Sequence, residues 1–83
     1  MDIYEKAVMK FGIDRQVDKL IEESSELVTA LLHKRHNREH NVYEEFADLE
    51  IMMEQLRPVF NGGGSVDFWK KEKLERLRLM LNE

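Results

Sequence analysis

Hydrophobic and polar positions along the chain repeat with the period of an α-helix, not the two-residue period of a strand. Val17, Leu20, Ile21, Ser24, Leu27, Val28 and Leu31 fall on one stripe. Val42, Phe46, Leu49, Met52, Met53, Leu56 and Phe60 form a second, and Trp69, Leu74, Leu77, Met80 and Leu81 a third. Each stripe is expected to face a core. The breakers between them divide the chain into four helices. The first is short, about residues 2–10, and ends before Gly12. The second runs from about Arg15 to Lys34, with Asp14 placed to cap it. The third begins after Asn41, where Glu44 three residues on completes a capping-box pattern, and ends near Phe60 with Pro58 bending or closing its last turn. Asn61-Gly62-Gly63-Gly64 is a stop, after which Ser65 or Asp67 can cap a fourth helix reaching about Leu81. The short connection from Lys34 to Asn41 makes the second and third helices an antiparallel hairpin. The expected fold class is all-α, a small antiparallel bundle of about four helices in a single domain, residues 1–83.

Composition sharpens this picture. A chain of 83 residues buries only roughly 60–65% of the surface its unfolded form exposes, so its core is small. Charged residues make up 36% of it, above the usual ~25%. Slender helices with wide solvated faces fit that balance, as does a subunit that completes its core by oligomerisation. Ala47 and Ile51 lie off the main stripe of the third helix and predict subunit packing, as a homodimer or homotetramer. The formal net charge of −4 argues against a chain built to coat a nucleic-acid polymer. With no Cys, disulfides and thiolate chemistry are excluded. No apolar run is long enough to span a membrane, and Met1-Asp2-Ile3-Tyr4-Glu5 does not read as a signal peptide. A cytoplasmic protein without a membrane partner is expected.

The acids carry the candidate chemistry. At 100° per residue Glu45 sits inside the apolar stripe of the third helix and Asp48 on its edge. An ionised carboxylate removed from water is unfavourable unless a cation meets it. A salt bridge to Lys or Arg, or a side chain reaching out to water, is the ordinary explanation of one such Glu. The second helix carries a matching pair, Glu23 and Glu26, on one flank of its stripe, again three residues apart. Four carboxylates brought together repel one another, and a hard divalent cation with oxygen ligands reverses the sign. Ala30 continues the flank and leaves room for a ligand. Metal-bound phosphoryl chemistry follows as one reading.

Glu22-Glu23-Ser24-Ser25-Glu26 matches E-E-x-x-E, and Glu45-Phe46-Ala47-Asp48 matches E-x-x-D, with 18 residues between them. Together the motifs resemble those of the MazG-like all-α nucleoside triphosphate pyrophosphohydrolases over residues ~14–57. The resemblance implies an oligomeric helical enzyme that depends on Mg²⁺, with Mn²⁺ as a substitute. It implies cleavage of a nucleoside triphosphate between its α- and β-phosphates, to monophosphate and pyrophosphate. By motif position Glu23, Glu26, Glu45 and Asp48 are the implied metal ligands. Glu22 and Glu45 are the candidates to take a proton from water. The related phosphoribosyl-ATP pyrophosphatases share the pattern, but Leu49-Glu50-Ile51-Met52 departs from the continuation expected there.

Between the motifs, His33-Lys34-Arg35-His36-Asn37-Arg38 is rich in cations. These suit a helix C-terminus, or a clamp on phosphates by Lys34, Arg35 and Arg38. Lys73 and Arg76 on the last helix are further substrate-binding candidates, against ordinary surface pairing such as Glu72 with Arg76. The Gly-rich stop is not followed by G-K-[ST] and is no P-loop. A different class of function, a catalytically silent helical interaction module, fits the same helices but gives no reason for Glu45 in its stripe.

Overall fold

The computed structural model describes all of residues 1–83. It is all-helical: α1 (Ile3–Phe11), α2 (Ile13–Arg35), α3 (Val42–Phe60), a single 3₁₀ turn (Gly62–Gly64) and α4 (Ser65–Met80). No helix is long and apolar enough to cross a membrane.

Three expected helix caps change. Gly12, at φ 84°, closes α1 by donating its N–H to Val8 O. The same residue is the N-cap of α2. Because glycine alone makes this left-handed break cheaply, α2 starts at Ile13, and Asp14 lies in its first turn instead of capping it. There its carboxylate still meets the positive end of the helix dipole. Asn41 is the N-cap residue of α3, but its side chain makes no cap bond, so the expected capping box with Glu44 is not formed. Neither Ser65 nor Asp67 is the N-cap of α4; Gly64 stands there, at φ 79°. Asn61 does the capping from outside, accepting the Asp67 N–H at 2.9 Å and donating to the Asp67 carboxylate at 3.0 Å. Arg57 pairs with that carboxylate and, with Asn61, holds it below the usual aspartate range. Pro58 sits in the last turn of α3, which runs on to Phe60.

The centre of the molecule is the α2–α3 hairpin. Gln55 donates to Gln16 at one end, Glu23 lies beside Asp48 in the middle, and Ala30 shares a recess with Asn41 at the other. The two helices therefore run antiparallel. α1 packs across the first end, with the Tyr4 hydroxyl donating to Glu54. The fully buried side chain is Leu56 on α3, helped by Val42, Met52 and Ala30.

The face of α2 turned inward is not the centre of its apolar stripe. Gln16, Glu23 and Ala30 are buried, and Leu20 and Leu27 half-buried, whereas Ile21, Val28 and Leu31 are exposed. The inward line is rotated from the stripe's centre towards the acid flank by roughly 90°. On α3, Val42, Met52 and Leu56 are buried as expected, but Phe46, Met53 and Phe60 are exposed. Displacements of one sense lie on one side of an antiparallel pair. The uncovered apolar residues of both helices thus share one face, and Glu26 and Asp48 lie towards the other. α4 buries nothing: Trp69, Leu74, Leu77, Met80 and Leu81 are all exposed. The radius of gyration, 15.8 Å, compares with about 12 Å for a compact domain of this length. The accessible surface, 6937 Å², compares with about 5,200 Å² for a compact monomer of this mass.

Candidate functional site

The rotation of α2 buries acids. Glu23 is 5% exposed and Glu45 7% exposed, and they face each other across the hairpin. Glu23, Glu45 and half-buried Asp48 each offer a carboxylate oxygen within 4.8 Å of the others. Two unit charges at that separation repel by about 3 kcal/mol at an effective dielectric of 20.

Some of that repulsion is met locally. Lys19, one turn before Glu23, brings Nζ to 3.1 Å from Glu23 Oε1. Its ammonium is held above the usual lysine range, first by the hydrogen bond to Glu23 and then by the charge of Glu22. Glu45 has no Lys or Arg partner; Asn41 Nδ2 donates to its Oε1 at 2.8 Å. The salt-bridge explanation of Glu45 therefore fails, while for one oxygen of Glu23 it holds. With the acids ionised, Glu23 Oε2 and Glu45 Oε2 are buried without a hydrogen-bond partner. Buried polar atoms are almost always paired, and an orphaned one is unfavourable by ~1–3 kcal/mol.

Glu26 is more exposed and stands at the rim. Its carboxyl is pushed up from 4.5 to about 7. The largest cause is the hydrogen bond that its protonated form makes to Glu45, followed by desolvation and the charge of Glu23. In the absence of a cation, a proton on Glu26 takes up part of the negative charge.

Glu26 and Glu45, but not Glu23 or Asp48, line a recess of about 370 Å³ together with Ser25, Thr29, Ala30, His33 and Asn41. Ala30 forms its one apolar wall and, being small, leaves it open. Ser25, Thr29 and His33 follow at four-residue spacing on α2, so they share the side of the helix that carries Glu26.

The donor set suits a hard cation. It consists of carboxylate oxygens, with two buried lone-pair-bearing atoms unclaimed. Around an octahedral Mg²⁺ with ligands at about 2.0–2.1 Å, neighbouring oxygens stand about 2.9 Å apart and opposite ones about 4.1 Å, so the three oxygens, within 4.8 Å of one another, would draw together onto an ion. Of the four expected ligands, Glu23, Glu45 and Asp48 are brought together, and Glu26 joins through Glu45. Glu22 is turned away and exposed, 3.6 Å from Lys19 Nζ. Lys34, Arg35, Arg38, Lys73 and Arg76 are all exposed, and none lines the recess. In place of Lys34, the half-buried His33 occupies the wall. His33, Asn41, Ser25 and Thr29 are absent from the expected set. Their signal in the sequence was the helical spacing from Glu26 and, for Asn41, its position four residues before Glu45.

The chain matches no protein-family model, no curated protein and no solved structure.

Proposed function

We propose that this protein is a MazG-like nucleoside triphosphate pyrophosphohydrolase that depends on Mg²⁺ or Mn²⁺ and cleaves its substrate to monophosphate and pyrophosphate. The carrying observation is the pair of buried, unpartnered oxygens of Glu23 and Glu45 beside Asp48, at the edge of a polar recess. A fold that needed these acids only for solubility would leave them on its surface. The motifs Glu22-Glu23-Ser24-Ser25-Glu26 and Glu45-Phe46-Ala47-Asp48 support the same reading.

A bound divalent cation would supply neutralisation of phosphate charge and polarisation of a phosphoryl oxygen. Glu23, Glu45 and Asp48 would hold it, with Glu26 giving up its proton to join them. His33 would offer a ring N–H to phosphate oxygens in the recess; the Ser25 and Thr29 hydroxyls, which donate to the Glu22 and Ser25 carbonyls, would have to rotate off the helix backbone to do the same. In the overall reaction water is added across the bridge between the α- and β-phosphates, one phosphorus–oxygen bond of that bridge breaks, and monophosphate and pyrophosphate are released. Of the two candidates for accepting the water's proton, Glu45 has an oxygen in the cluster and Glu22 does not.

The test is product analysis over a panel of ribo- and deoxyribonucleoside triphosphates with Mg²⁺. One or more should give monophosphate and pyrophosphate, and a chelator should stop the reaction. Release of orthophosphate with a nucleoside diphosphate would place the scissile bond elsewhere, and silence across the panel would favour a catalytically silent interaction module.

The reading includes a homodimer or homotetramer. The surface, 6937 Å², exceeds that of a compact monomer by about 1,700 Å², and α2, α3 and α4 all carry exposed apolar side chains. Light scattering at micromolar concentration should give a dimer or larger. Met53→Glu and Ile21→Glu place a charge on residues already 57% and 62% exposed in the single chain. They should shift the protein to a monomer with little change in helicity. A wild type that runs as a ~10 kDa monomer would remove the oligomer from this reading.

A further inference from the structure

We propose that Asn41 is a positioning residue of the acid site, holding the Glu45 carboxylate with one oxygen engaged and the other presented to a divalent cation. This rests on the metal-dependent reading above. An Asn before a helix ordinarily accepts a backbone N–H of the first turn with its side chain, from an extended backbone. Asn41 does neither. Its backbone is at φ −122°, ψ 37°, and its side chain makes no cap bond.

The side chain reaches Glu45 instead, with Nδ2 donating to Oε1 at 2.8 Å. The carbonyl of the same residue accepts the Glu45 N–H at 3.0 Å. Asn41 thus fixes Glu45 at both its backbone and its carboxylate. One orphan donor of the first turn is met by a neighbour, since Val42 N–H donates to His40 Nδ1 at 3.3 Å. With Oε1 occupied, Oε2 is the oxygen left buried and free in the cluster. Partners that orient a ligating carboxylate typically contribute 10–100-fold to metal affinity.

The experiment compares wild type with Asn41→Ser and Asn41→Gly. Serine and glycine are both accepted at an N-cap, and neither carries the Nδ2 donor. Mn²⁺ binding is measured by electron paramagnetic resonance, and thermal unfolding is followed in chelator. The expected result is Mn²⁺ binding weakened 10–100-fold, with melting temperatures in chelator close to or above that of wild type. Equal Mn²⁺ affinity in variants and wild type would overturn the role of Asn41 and leave the metal site standing. A large drop in the melting temperature of both variants in chelator would show a structural role and also overturn it. A wild type that takes up no Mn²⁺ would overturn the metal-dependent reading and this inference with it.

Discussion

Glu45→Gln should abolish pyrophosphate release and at the same time raise the melting temperature of the metal-free protein near neutral pH. The substitution keeps the Oε1 acceptor that Asn41 uses and replaces Oε2, which has no partner once Glu26 has lost its proton, with an amide able to donate within the acid cluster. Relief of an orphaned buried oxygen is worth ~1–3 kcal/mol. In a domain of this size each kcal/mol moves the melting temperature by ~4–8 °C, so a rise of at least ~4 °C is expected in chelator. Saturating Mg²⁺ should act in the opposite order. It should stabilise the wild type by about 2.7 kcal/mol at a hundredfold excess over Kd, and the variant much less. A variant less stable than wild type in chelator, and equally stabilised by Mg²⁺, would remove Glu45 from the site.

The same substitution has a signature in pH. Glu26 carries a folded pKa raised from 4.5 to about 7, chiefly through Glu45. Between those values the native state binds more protons than the unfolded chain, so metal-free stability is fully present below about 4.5 and is lost as pH rises through about 7. Glu45→Gln removes the main cause and should flatten that decline. Unfolding curves of both proteins in chelator, from pH 5 to 8, measure the difference. Parallel pH profiles would mean that the proton on Glu26 is not held by Glu45.

Helix number, order and approximate ends could be read from the chain because each depends on local chemistry. Gly12, Asn41 and the Gly62–Gly64 run favour helix ends through their own backbone and side-chain preferences. The inward face of α2 could not be read in this way. The stripe from Val17 to Leu31 marks a face suited to burial, but periodicity does not say which part of it the chain's own helices cover. Here α3 packs on the flank that carries Glu23 and Ala30, and Ile21, Val28 and Leu31 stay open. That rotation buries the acids, and spacing alone placed them only on an edge. The acid set itself was legible, since a carboxylate within a stripe is a local contradiction that a cation resolves. The walls of the recess were not. Lys34 shares the acid flank on a helical wheel, yet half-buried His33 is the residue that lines the recess. Asn41 was legible as a cap but not as a partner of Glu45, because the two uses compete for one side chain.

Leu56→Ala should have the largest effect on stability of any single apolar truncation in this chain. Leu56 is 1% exposed, and few other apolar side chains share the core with it. Leu→Ala at such positions removes ~2–5 kcal/mol. The whole stability of a domain this long is about 4–12 kcal/mol. The variant should therefore melt at least ~8 °C lower or be unfolded at room temperature. Saturating Mg²⁺ should recover part of the loss, because a ligand of the native state adds the same increment to any variant that keeps the acids. Leu77→Ala is the informative companion. Leu77 is 46% exposed on α4, so in an isolated chain its truncation should change stability by less than about 0.5 kcal/mol. If α4 is covered by a second copy, the loss should approach that of a core leucine, and the melting temperature of wild type should climb with protein concentration while that of Leu77→Ala climbs less. Thermal unfolding over a hundredfold range of concentration separates the two cases. A concentration-independent wild type with a silent Leu77→Ala would show that α4 is solvated in solution. Leu56 and its neighbours would then be the whole core of a monomer.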